Sequence, residues 1–188
     1  YPNLNFTITP DWQLKNALDT LLHAPLSGES AFITYSDTLF GKHFIDELPI
    51  HSNEVLVVVD SLWKKRYRNR SPEDIAKAET IVHLNEEVEF TGLVYFNEQC
   101  INILRKAQKD KSKETIGNNF QEFFKFLECK GIKINYIDVV GDWAEFNSTQ
   151  DITNFILGTK ADTLSRLENI VRKSHIGAQV NFTVENWL

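Results

Sequence analysis

The run Glu54-Val-Leu-Val-Val-Val-Asp60 constrains the fold more than any other stretch of the chain. Consecutive apolar residues, all but one of them valine and without alternation, belong to a strand covered on both faces, as in sheets with helices packed on each side. Ala31-Phe-Ile-Thr-Tyr35, ending in Ser36-Asp37, reads as a second buried strand. Before it, Leu14, Ala17, Leu18, Leu21 and Leu22 fall at helical spacing, which predicts a helix over Asp11 to His23 with Asp11 as its cap. Ile81 to Phe96 reads as a strand interrupted by Gly92, a residue that inside strands marks a bulge or a close backbone approach. Helices are expected over Asn97 to Ala107 and Phe120 to Lys130, the latter stopped by Gly131, followed by a strand over Ile132 to Val140. Further helices are expected over Ile152 to Leu157 and Ala161 to Lys173. Helices alternating with strands predict an α/β domain with a largely parallel sheet, whose ligands gather outside the carboxyl ends of the strands. Asp37, Asp60 and the segment Asp142 to Asp151 all follow strand ends, so three acidic positions are expected at one rim.

The chain has 188 residues, enough for one substantial core, and its 42% hydrophobic and 24% charged content is that of a globular protein. A net charge of -6 repels nucleic acid and anionic membrane. Cys100 and Cys129 have no CxxC partner and no His at metal-ligand spacing, which points to a reducing compartment. With no apolar run long enough to span a bilayer and no signal pattern, a cytoplasmic location is expected and the N-x-S/T sequons are discounted. The chain opens on Tyr1 and contains no Met, as expected of a piece of something longer.

Two carboxylates from separate strand ends suffice to hold Mg²⁺, which otherwise takes waters and substrate phosphates. Asp37 is the first candidate, with Glu145 in Trp143-Ala-Glu-Phe-Asn-Ser-Thr-Gln-Asp151 on the other side. A strand-end Asp also serves as a turn or helix cap, so neither residue alone decides the matter. Lys64-Lys-Arg-Tyr-Arg-Asn-Arg70 concentrates positive charge in an acidic chain, either as a solvated loop or, through Lys64, as a contact for a phosphate. The five histidines lack any H-x-x-x-H or H-E-x-x-H spacing.

Ile33-Thr-Tyr-Ser-Asp-Thr-Leu-Phe40 resembles the central strand and metal-binding Asp of bacterial nucleoside-triphosphate transferases, in particular cytidylyltransferases acting on phosphocholine and aminoethylphosphonate. Trp143-Ala-Glu-Phe-Asn-Ser-Thr-Gln-Asp-Ile152 is similar to their second acidic motif. Asp60-Ser-Leu-Trp-Lys-Lys-Arg-Tyr67 resembles a segment after the next strand in such enzymes, and Glu89-Phe-Thr-Gly-Leu93 resembles the strand that faces the acceptor. The resemblance implies a Rossmann-like, nucleotide-diphospho-sugar transferase-like sheet, mostly parallel, flanked by helices and lacking its first strands. It further implies Mg²⁺ at Asp37, Glu145 and Asn147, catalysis by Asp37 and Glu145, and substrate contacts from Ser36, Asp60, Trp63, Lys64, Glu89 and Gly92. The implied partners are a nucleoside triphosphate, with CTP favoured, and a small phosphorylated or phosphonate acceptor, and the reaction releases pyrophosphate.

Two departures qualify the resemblance. Asn147, a neutral amide, stands where the family has an acidic ligand, and the Gly-rich triphosphate-binding loop that precedes this region in the family is absent, so the chain alone is expected to be inactive. The alternative is a non-catalytic module that binds a nucleotide or docks a neighbouring domain. The Asp-x-Asp of a glycosyltransferase with a related sheet is replaced by Tyr35-Ser-Asp37. Residues 1–157 are expected to form the carboxyl-terminal portion of the transferase domain. Residues 158–188 resemble the junction before a phosphoenolpyruvate-synthase-like region in multidomain proteins. A sheet lacking its first strands exposes an edge, which predicts self-association as a homodimer.

Overall fold

A computed structural model describes residues 4–51, 53–67, 71–147 and 151–152. Their elements in chain order are α1 (Ala17–Leu21), β1 (Ala31–Ile33), β2 (Thr38–Phe40), α2 (Lys42–Asp46), β3 (Val55–Asp60), α3 (Trp63–Arg66) and α4 (Pro72–Ile75). Then follow β4 (Thr80–His83), β5 (Glu86–Phe96), α5 (Glu98–Asp110), α6 (Phe120–Cys129), β6 (Ile134–Asp138) and β7 (Trp143–Glu145). The chain divides into two compact units, Tyr1–Trp143 and Ala144–Leu188. The boundary expected near Gly158, the helix over Ala161 to Lys173 and most of the helix over Ile152 to Leu157 lie outside the described residues.

The main sheet of the first unit runs β1-β5-β3-β6, with β4 also paired to β5. β3 and β6 are parallel, whereas β5 is antiparallel to β1, β3 and β4. It follows that β1, β3, β4 and β6 all run one way and β5 alone is reversed. The expected largely parallel sheet is therefore a mixed one. The reversal comes from the stretch Ile81 to Phe96, which is two strands joined at Leu84-Asn85, both with positive φ (51° and 66°) as a tight hairpin turn requires. No Gly marks that turn in the sequence, so the hairpin was hidden inside one apparent strand.

Alternation assigns the faces of β3. Val55, Val57 and Val59 face a core formed with Leu18 of α1, Ile101 and Leu104 of α5, and Phe120, Phe123, Phe124 and Leu127 of α6. Leu56 and Val58 face a smaller cluster containing Leu48, Tyr95, Val139 and Trp143, against which Phe40 and Phe44 pack. Each large side chain so buried contributes about 1.5–3 kcal/mol. Helix α6 begins at Asn119, whose side chain accepts from the Glu122 N–H. It ends where Gly131, at φ 74°, lets Ile132 N–H reach back to Leu127 O. The helix expected over Asp11 to His23 is instead a 3₁₀ turn, Trp12–Leu14, followed by the short α1. Asn16, in a capping box with Asp19, supplies the cap expected from Asp11.

Gly92 fulfils both meanings of a glycine inside a strand. The β3–β5 register slips beside it, between Val57 and Val59, and its φ is 80°. The ring of Tyr35 lies 2.5 Å from where a Cβ would stand.

Candidate functional site

Ser36 and Asp37 form the turn between β1 and β2, closed by Thr38 Oγ1 donating to Tyr35 O at 3.0 Å. Both line a groove of about 1040 Å³ whose apolar wall includes Leu21, Ile33 and Phe120. Asp37 is exposed, and no hydrogen bond or ion pair engages its carboxylate among the described residues. It stands beyond the carboxyl end of β1, where such sheets present ligand-binding groups.

Asp60 has the opposite environment. It is 0% exposed, its Oδ1 accepts from Leu62 N–H and Gly141 N–H, and its Oδ2 accepts from Trp143 Nε1–H, each at 2.9 Å. Asp138, on the neighbouring parallel strand, mirrors this arrangement, accepting from Ser61 N–H at 3.0 Å and from Val140 N–H at 2.9 Å. Each aspartate thus binds the loop after its own strand and the loop after its neighbour's, a reciprocal clamp that fixes both loops at the rim. Desolvation pushes the Asp138 carboxyl up, but hydrogen bonds from the Ser61 side chain and from Ser61 N–H and Val140 N–H outweigh it and hold the group below its ordinary value. Asp138 was not singled out in the sequence. The mark it left there was an acidic residue near the end of the strand expected over Ile132 to Val140.

Glu89 faces Asp60 across the β3–β5 ladder. Two buried carboxylates directly opposite repel, and Arg66 of α3 answers that charge. Its guanidinium donates to Glu89 Oε2 and lies 4.1 Å from the Trp143 ring centroid, while Tyr67 Oη–H donates to Glu89 Oε1 at 2.8 Å. Trp63 is buried beside Tyr67 and donates through Nε1 to Glu87 O at 3.1 Å. The structure therefore brings Asp60, Trp63 and Glu89 together in one internal polar network rather than on an open surface. Lys64 stands at its solvent edge, 3.9 Å from Glu87. Sequence reasoning missed Arg66 and Tyr67 as the partners of Glu89, since the basic run that contains them reads as a surface feature.

Glu145, in β7, is half-buried and already engaged, and Asn147 is exposed. Both belong to the second unit, and Asp37 belongs to the first. Among the described residues no three His, Cys, Asp or Glu side chains gather as a metal cage. An exposed carboxylate such as Asp37 suits a hard cation that keeps waters and substrate oxygens, as Mg²⁺ does, and not one that demands a full protein shell. No helix among the described residues is long and apolar enough to cross a membrane. No protein-family model matches the chain, and no curated protein matches it.

Proposed function

We propose that this chain forms the acceptor-side, cation-anchoring part of a nucleotidyltransferase. The intact protein would transfer a nucleotidyl group from a nucleoside triphosphate, CTP foremost, to a phosphorylated or phosphonate small molecule. The observation that carries the reading is the contrast between two strand-end aspartates: Asp60 has its oxygens filled by protein donors, whereas Asp37 offers its carboxylate at the mouth of a large groove. An oxygen of the acceptor attacks the α-phosphorus, the bond from that phosphorus to the bridging oxygen breaks, and pyrophosphate leaves. Bound Mg²⁺ supplies neutralisation of phosphate charge. Asp37 is the residue assigned to hold it, since its carboxylate is exposed and lines the groove. Ser36 borders the same groove and is assigned to the bound substrate. The buried Asp60, with Asp138, serves by holding the loops after β3 and β6, away from the groove lining.

The test is pyrophosphate release by the intact protein with Mg²⁺, each of the four nucleoside triphosphates, and phosphocholine, aminoethylphosphonate or sugar phosphates as acceptors. Acceptor-dependent release that falls by about two to three orders of magnitude in Asp37→Ala supports the proposal. Absence of release with every pair, from a folded protein, sinks it. That outcome moves the reading to a non-catalytic nucleotide-binding module, for which the neutral Asn147 speaks.

A further inference from the structure

We propose that residues 4–9 act as a donated β-strand, pairing with the open edge of β1 in a second copy of this chain. The segment Leu4-Asn-Phe-Thr-Ile-Thr9 alternates apolar and polar residues without a break, the pattern of a half-buried strand, and its residues favour extended structure. Here it pairs with nothing. Among the described residues its backbone makes no hydrogen bond, and Leu4, Phe6 and Ile8 are 58%, 87% and 89% exposed. Strand-prone apolar side chains so exposed are a template for pairing.

The acceptor is on the same molecule. β1 closes one end of the sheet order and pairs only with β5 among the described strands, so its other edge presents unpaired N–H and C=O groups. Beside that edge lies the groove walled by Leu21, Ile33 and Phe120, a surface suited to the apolar face of an added strand. Leu4 and Asn5 border this groove within one chain, but Leu4 is still 58% exposed and Phe6 and Ile8 stand in solvent, so the local arrangement buries none of the three apolar residues. Pairing with a second copy buries all of them and fills the edge hydrogen bonds.

The junction suits such an exchange. Pro10 ends the segment and cannot donate to a ladder, and Asp11 turns the chain at φ 52°. A chain carrying both a donor strand and a matching edge closes reciprocally into a two-fold dimer, each copy completing the other. The added strand would also wall the Asp37 groove, yet the proposal does not depend on any reaction occurring there.

The experiment measures mass in solution by light scattering over a range of concentrations, with hydrogen exchange at the amides of residues 6–8. It compares the chain with the double variant Phe6→Asp, Ile8→Lys. Both side chains stand in solvent within one copy, so the variant should unfold with unchanged cooperativity. The expected result is twice the 21.7 kDa chain mass with slowed exchange at those amides, both lost in the variant. A monomer at every concentration overturns the proposal, as does a dimer that persists in the variant. A monomer with slowed exchange at residues 6–8 also overturns it, because the segment then pairs within its own chain.

Discussion

A carboxylate that receives three hydrogen bonds at zero exposure is out of a ligand's reach, and removing it strands its donors. Asp60→Ala leaves the buried Trp143 indole N–H and the backbone N–H groups of Leu62 and Gly141 without their acceptor, an expected cost of about 3 kcal/mol. Asp60→Asn retains one oxygen and should cost less, so the urea midpoints of the two variants should fall in that order below the parent. Asp138 gives a pH signature. Its folded value is depressed, so its contribution to stability is complete above the ordinary carboxylate range and lost as the pH falls through the folded value. Thermal unfolding from roughly pH 3 to pH 6 should show a shallower acid limb in Asp138→Asn than in the parent. An unchanged limb would mean that the clamp at the ends of β3 and β6 does not govern acid sensitivity. The strand-end position of Asp60 was legible in the sequence, and its role was not. Two of its three donors, Gly141 and Trp143, lie 81 and 83 residues away, and no local pattern encodes which distant loop returns to fill a carboxylate.

At the scale of elements, hydrophobic pattern located the strands around Ala31, Val55 and Ile134 and the helices α5 and α6, but only β3 is buried on both faces: β1, expected to be buried, is an edge strand whose Phe32 is 49% exposed. Elements set by local competition were less visible. The stretch from Asp11 to His23 has helical spacing, but Leu14 is 88% exposed and Asn16 caps a much shorter helix, so the first turns lack the tertiary packing that sustains a short helix. Gly92 joins sequence and structure most directly. Gly92→Ala must both accept a φ of 80° and displace the Tyr35 ring, so a loss of at least about 2 kcal/mol is expected. Combining it with Tyr35→Ala should recover part of the loss beyond additivity. A double-mutant cycle with no coupling would show that backbone strain, and not the ring, makes Gly92 necessary.

For the whole molecule, the consequence of the reversed strand is temporal. β1, β3 and β4 precede β5 in the chain, and among the described strands none of the three pairs with another. Each has its first sheet partner only in β5, which is not complete until Phe96. During synthesis, the amino-terminal half therefore emerges as apolar strands with no neighbour to pair with, and the ladders close together once that single segment arrives. A nascent chain stopped before β5 would expose the apolar residues of β1, β3 and β4 while making none of the ladders that later cover them.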